Sequence, residues 1–327
     1  MKDEKIIFLH VGGHYVHRAF AKSVTSNFVD ITKESIPKDY DIYLIEASYY
    51  KIALMKLFGI INRKSKIINI FADPRLYFIK SKTYLDPRNG KIKKYPWWKR
   101  KISQLLLKIV DGGLCVSKFE QNLLKDFSPS TPSKVVYPFI SDERMYSLSK
   151  VSPNLHGEKI LFIGNNDYYY KGIDILIDSF KLLKKIRPKA ELFILGNISK
   201  KREWETEGVF FCGRTEIEPF LKKCSLYVHP SRGEAFGVSI IESLLAGVPA
   251  LVSEDTGAGE VLKKIDPGLL FRLNPKEISE KIDSYFKTSK EYKLKLSKRG
   301  RFEAKKFSKN KQVKLFKKRF FEILNKK

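Results

Sequence analysis

The chain has 327 residues, 43% of them hydrophobic, which suits two domains of roughly 150 residues each better than one core. Lys and Arg number 63 against 36 Asp and Glu, so the net charge of +27 draws anions of any class: nucleic acid, anionic lipid or phosphorylated small molecules. No run approaches the ~20 uncharged apolar residues of a membrane span. Cys115, Cys212 and Cys224 are scattered and form no CxxC pair, so they suggest neither a disulfide framework nor a zinc site.

The opening segment MKDEKIIFLHVGG carries its charges directly before a short apolar run. It reads as a first strand rather than a leader, and the expected location is cytoplasmic. Strand Lys5–Val11 is followed by Gly12-Gly13 and a helix over about His14–Val24. Strands Asp41–Ile45 and Lys66–Phe71 flank a helical stretch near Lys51–Ile60, and Val110–Val116 and Lys134–Tyr137 supply two more strands. Such non-alternating apolar strands between helices predict a buried parallel sheet. The polar stretch Phe139–Leu155 reads as an irregular linker. The pattern then restarts with strand Lys159–Gly164, helix Ile173–Arg187, and strands Glu191–Gly196, Gly208–Cys212, Ser225–His229 and Val248–Ser253. A last helix, about Asn310–Leu324, presents Val313, Phe316, Phe320 and Ile323 as one apolar stripe. The domains expected are therefore 1–138 together with 310–327, and 139–309.

The densest chemistry lies in Pro230–Pro249, PSRGEAFGVSIIESLLAGVP. A strand ends at His229, a short loop carries Glu234, and a helix starts near Gly237 and stops at the C-terminal glycine Gly247. Gly237 lets backbone approach a ligand, and the amides of Gly237, Val238 and Ser239 at the helix start favour a diphosphate. Glu242 lies five residues inside, about 7.5 Å along the axis, so two carboxylates bracket that position. A bare E-x7-E is otherwise two surface glutamates on an ordinary strand–loop–helix turn.

The whole string P-S-x-x-E-x-F-G-x-x-x-x-E-x-x-x-x-G-x-P resembles the donor-site signature of glycosyltransferase family 4. The resemblance covers the C-terminal half well and the N-terminal half loosely. It implies an α/β fold of GT-B architecture, two Rossmann-like doubly wound domains facing across a cleft, the second binding the donor. It also implies a retaining enzyme that takes its sugar from a nucleotide-diphosphate sugar, without metal or other cofactor. By that resemblance Glu234 contacts the donor sugar, Glu242 the ribose, and Ala235, Phe236, Gly237, Val238 and Ser239 the diphosphate. A second match runs from Gly164 to Gly172: Lys171 takes the position of the family's diphosphate-binding lysine, whereas Asn165 stands where relatives have arginine, and asparagine cannot neutralise a phosphate. Gly12 and Gly13 match the glycine-rich loop facing donor and acceptor, and Gly196 and Ile217 fall where the base is held by backbone. The family's histidines of the acceptor half are missing; Glu46 and Asp73 occupy the corresponding strand ends, and either Glu46 or Asp73 is expected to orient an acceptor hydroxyl.

Two regions concentrate the charge. Residues Lys80–Lys101 contain nine basic side chains and one acid, and Lys290–Lys327 sixteen and three. A solvated lysine-rich surface explains such runs without further function. Within the first, Lys91, Lys93, Lys94, Trp97, Trp98, Lys99 and Arg100 mix cations with tryptophans, which suits an anionic membrane surface bearing a lipid-linked acceptor for cell-envelope glycan synthesis. The alternative places the tryptophans under the domain. Two other functions fit the composition: an inactive GT-B relative serving as a scaffold, and a basic nucleic-acid-binding protein, for which no binding motif is present.

Overall fold

The computed structural model describes residues 4–46, 49–73, 75–85, 92–164, 168–198 and 202–325. Residues 1–139 with 309–327 form one compact unit and residues 140–308 the other. Among the described residues no helix is long and apolar enough to cross a membrane.

The first unit begins with β1 (Ile6–His10), α1 (Tyr15–Lys22), β2 (Phe28–Asp30), β3 (Ile42–Ile45), α2 (Tyr49–Leu57) and β4 (Lys66–Phe71). It continues with α3 (Arg75–Ser81), β5 (Thr83–Leu85), β6 (Ile92–Lys94), α4 (Trp97–Leu107), β7 (Gly112–Cys115), α5 (Lys118–Phe127) and β8 (Ser133–Val135). Six strands pair in parallel in the order β2-β1-β3-β4-β7-β8, while β5 and β6 form a separate antiparallel pair. The order reverses between β1 and β3, so the ends of these two strands flank the crevice where doubly wound sheets bind ligands. Strands β1, β3 and β4 are buried over nearly their whole length, the mark of a sheet covered on both faces.

The second unit runs α6 (Asp142–Ser149), β9 (Lys159–Ile163), α7 (Tyr168–Lys171), α8 (Ile173–Ile186), β10 (Glu191–Leu195), β11 (Val209–Gly213) and α9 (Glu218–Lys223). Then come β12 (Leu226–His229), α10 (Val238–Leu245), β13 (Ala250–Ser253), α11 (Gly259–Ile265), β14 (Leu270–Phe271), α12 (Pro275–Lys287) and α13 (Lys290–Ala304). Its parallel sheet has the order β11-β10-β9-β12-β13-β14, reversing between β9 and β12. Both units are thus Rossmann-like.

The last helix, α14 (Lys309–Leu324), returns to the first unit. Phe316 stacks on Phe20 of α1 with ring centroids 4.6 Å apart, and Phe316 and Phe320 are both fully buried. Burial of each phenyl ring contributes about 1.5–3 kcal/mol. Gly112 of β7 makes room for the helix, since a Cβ there would lie 2.2 Å from Cγ2 of Ile323. The expected stripe is displaced at its start: Gln312 is buried, whereas Val313 is half-exposed.

Two expectations need correction. The stretch 139–155 is not irregular, because Ser141 accepts a hydrogen bond from the Arg144 amide and caps α6, whose first turn carries Asp142 and Glu143. Strand β2 was not anticipated, being three residues long at a sheet edge.

Candidate active site

The switch point of the second sheet collects Lys171, just beyond β9, and Glu234, just beyond β12. Their loops are locked together. The Arg232 guanidinium forks onto Asp174 with two contacts of 2.8 Å, stacks 4.2 Å from the Tyr169 ring and donates to the Tyr169 carbonyl at 2.5 Å. Ser231 Oγ donates to the Tyr170 carbonyl at 2.7 Å. Gly172 fits against Pro230 in a left-handed conformation (φ 69°), and a Cβ there would fall 1.8 Å from the Pro230 oxygen. This clasp sets the position from which Lys171 reaches Glu234.

Lys171 Nζ donates directly to Glu234 Oε2. The same oxygen lies 3.4 Å from Nε2 of His229, which is fully buried. A carboxylate only accepts, so the proton of the neutral imidazole sits on Nε2 and Nδ1 accepts from the Tyr227 hydroxyl at 3.1 Å. Tyr227 is in turn 2.9 Å from Ser239 Oγ. A buried chain of polar groups therefore joins Glu234 to the first turn of α10. Burial opposes ionisation of Glu234, but the Lys171 charge and His229 outweigh it and hold its pKa well below the carboxylate range. Burial pushes His229 the other way, below its ordinary value, so it stays uncharged.

Helix α10 is preceded by Gly237 at its N-cap, in a left-handed conformation with φ of 90° and ψ of 71°. Among the described residues the amides of Gly237, Val238 and Ser239 donate to no protein acceptor. The Glu234–Phe236 loop is pinned from behind, as Gly257 N donates to Glu234 O at 2.9 Å and Ala258 N to Phe236 O at 2.8 Å. A cation and an ionised carboxylate thus pair in the loops beyond these strand ends, three residues before a helix start whose first amides have no acceptor among the described residues.

Glu242 is ion-paired. Arg144 Nε donates to Glu242 Oε1 at 2.9 Å, and Arg144 NH1 to Glu218 Oε1 at 2.5 Å. Glu218 also accepts from Ser147 Oγ at 3.1 Å. Burial raises the Glu242 pKa, with Arg144 offsetting part of it, while Glu218 is lowered because Arg144, Ser147 and a backbone bond outweigh its own burial. Arg144, Glu218, His229, Tyr227 and the Arg232–Asp174 fork were missed in the sequence. Only the cap Ser141 and the acids after it signalled the helix that carries Arg144.

The other expected residues fall as follows. Asn165 and Lys91 lie outside the described residues. Gly164 N donates to Leu195 O at 2.9 Å, and Gly196 N to Gly213 O at 2.7 Å, so both glycine amides serve the sheet ends. Ile217 precedes α9 and is buried, its carbonyl accepting from Phe220 and Leu221. In the first unit Gly12 and Gly13 both take positive φ, and Glu46 Oε1 accepts from the His14 amide at 3.1 Å and lies 3.0 Å from His17 Nδ1. Asp73 pairs with the Arg75 side chain and accepts from the Arg75 amide at 2.9 Å. Trp97 and Trp98 do not pack under the domain: they are 74% and 49% exposed.

Comparison with known proteins adds the following. Residues 147–303 match the family described as Glycosyl transferases group 1. An uncharacterized glycosyltransferase of Methanocaldococcus jannaschii is 31% identical over 208 residues, covering 61% of this chain and 56% of its own. The N,N'-diacetylbacillosaminyl-diphospho-undecaprenol alpha-1,3-N-acetylgalactosaminyltransferase of Campylobacter jejuni is 26% identical over 212 residues, 62% of this chain and 53% of its own. The chain thus spans little more than half the length of either relative. Among solved structures, Anabaena HepE in complex with UDP-glucose superposes with a TM-score of 0.69 at 16% identity over 98% of this chain and 100% of its own. The fold is that of GT-B glycosyltransferases.

Proposed function

We propose that the chain, whose residues 147–303 match the family described as Glycosyl transferases group 1, is a retaining glycosyltransferase. It moves a sugar from a nucleoside diphosphate to a hydroxyl of a glycan or lipid-linked acceptor. The observation that carries the reading is the Lys171–Glu234 pair just before a helix start whose Gly237, Val238 and Ser239 amides donate to no protein acceptor among the described residues. The substrate classes draw support from the UDP-glucose in HepE and the diphospho-undecaprenol acceptor in the name of the Campylobacter relative.

The reaction breaks the bond between the anomeric carbon and the β-phosphate oxygen, leaving negative charge on the diphosphate. The α10 amides and the Lys171 ammonium, which has two donors left beyond Glu234, stabilise that charge in place and need no metal to do so. Ionised Glu234 accepts hydrogen bonds from donor-sugar hydroxyls and fixes the ring. The acceptor oxygen attacks from the face the phosphate leaves, and its proton passes to the departing phosphate oxygen, so configuration is retained without an enzyme nucleophile. In the first unit Glu46, held by the His14 amide and close to His17, orients the acceptor hydroxyl.

Replacing Glu234 by Gln keeps the volume and removes the charge. Transfer, or donor hydrolysis if the acceptor is unknown, should fall by about a hundredfold or more while the far-UV spectrum stays native. Undiminished turnover in this variant would sink the assignment. Wild type that hydrolyses no sugar nucleotide would favour the inactive-scaffold reading.

A membrane contact belongs to the same proposal. The exposed Trp97 and Trp98 beside Lys93, Lys94, Lys99 and Arg100 bring the chain to an anionic lipid surface, where a lipid-linked acceptor resides and where a cytoplasmic protein attaches peripherally.

A further inference from the structure

We infer that Arg144 is a positioning residue of the donor site, holding the Glu242 carboxylate so that it accepts hydrogen bonds from the vicinal hydroxyls of a ribose. The inference rests on the donor-site reading above and assigns a role to a side chain that lies outside both motifs.

The geometry is a fork with two anchors. Arg144 rises from the first turn of α6, 98 positions before Glu242 in the chain, and its Nε and NH1 meet Glu242 and Glu218 separately. Only Oε1 of Glu242 is engaged; Oε2 accepts no hydrogen bond among the described residues, and the side chain keeps 18% exposure. A carboxylate has about four acceptor sites, so one clamped oxygen still leaves enough for two hydroxyls. The planar guanidinium fixes direction as well as charge, which a lysine ammonium does not. Glu218 holds the other end of the fork, so the arginine cannot swing away from Glu242 without leaving a second carboxylate unpaired.

The charges around Glu242 make the clamp matter for function. Arg144 faces it from α6, Glu218 from the start of α9 and the Tyr227 hydroxyl from β12. Arg301 of α13 is turned to the carbonyls of Leu245 and Ala246 at the far end of α10. Without Arg144, two carboxylates share a half-buried site with no cation between them. One of them then holds its proton to higher pH than in the wild type. A protonated Glu242 is a poorer acceptor for two hydroxyls, so binding should recover as pH rises.

The test measures equilibrium binding of UDP, GDP and ADP, and of their 2'-deoxy forms, to the full chain between about pH 6 and 9. Wild type should prefer a ribose over a deoxyribose nucleotide by about tenfold. Arg144→Ala should lose about tenfold in affinity for the ribose form at neutral pH, lose the preference, and regain part of both toward the alkaline end. Arg144→Lys should fall between the two, keeping charge without the fork, and it carries the test if Arg144→Ala does not fold. A variant that weakens ribose and deoxyribose nucleotides equally, or keeps the preference at every pH, overturns the inference. Wild type that binds none of the three nucleotides overturns the donor-site reading itself, and the inference with it.

Discussion

Glu234 and Glu242 stand eight positions apart; burial raises the pKa of both, yet their net shifts are opposite. For Glu234 the charge of Lys171 beats burial; for Glu242 burial beats Arg144. Their contributions to stability therefore have opposite pH slopes. Glu234 titrates lower in the folded chain than in the unfolded one, so its contribution is full above the ordinary carboxylate range and fades as pH falls through it. Glu242 titrates higher when folded, so its contribution is present in acid and is lost as pH rises through the raised value. Glutamine at either position removes the titration. Glu234→Gln should melt below wild type at neutral pH, with the gap narrowing in acid. Glu242→Gln should gain on wild type as pH rises from about 4 toward neutrality. Melting curves of both variants across that range check the pair, and parallel pH profiles for the two would refute the assignment of opposite shifts.

At the scale of elements, the donor site depends on two loops meeting at a strand end, and Gly172 is where they touch. Its left-handed φ strains any residue with a Cβ, and the Cβ itself would overlap the Pro230 carbonyl, which is backbone and cannot rotate aside. Gly172→Ala should destabilise the second unit by roughly 3 kcal/mol or more, seen as a lowered denaturation midpoint, and should weaken nucleotide binding even where the protein is folded. A near-wild-type midpoint would mean that the clasp between α7 and the Ser231–Arg232 loop yields readily. The same elements explain what was legible in the sequence. The Pro230–Pro249 string, the Lys171-Gly172 pair and nearly every strand of the second unit announce themselves through neighbours within a few positions, because strand, turn and helix start are local events. Arg144 and Glu218 do not. Their roles arise from contacts between segments far apart in the chain, such as Arg144 with Glu242, and no local pattern encodes such a meeting. The antiparallel pair β5 and β6 and helix α4 were hidden by composition, since a run dense in lysine reads as surface whatever backbone lies beneath it.

At the scale of the whole molecule, the net charge of +27 resists self-association and gives any anionic surface a long-range pull. The apolar side chains decide which surface. More than half of the exposed large hydrophobic residues among those described fall within 54–60 and 92–105, in the first unit. Helices α2 and α4 are tied together by the Tyr50 and Ser103 hydroxyls at 2.7 Å. On α4, Trp98, Ile102 and Leu105 follow helical spacing on one exposed face, and Lys99 lies 5.3 Å over the Trp98 ring. Nucleic acid would reward the lysines and leave the aliphatic residues in water, whereas an anionic bilayer rewards both. Each cation near such a surface contributes about 1 kcal/mol, screened within a Debye length, while tryptophan insertion is insensitive to salt. The wild-type chain should therefore co-sediment with phosphatidylglycerol-containing vesicles at low salt, and much less with purely zwitterionic ones. Replacing Trp97 and Trp98 together by alanine should weaken partitioning by about tenfold or more with the salt dependence unchanged. Replacing Lys93, Lys94 and Lys99 by glutamine should flatten the salt dependence and spare the residual binding. Failure of wild type to bind anionic vesicles at low salt would remove the membrane from the proposal, and binding that ignores the tryptophans would move the contact elsewhere on the basic surface.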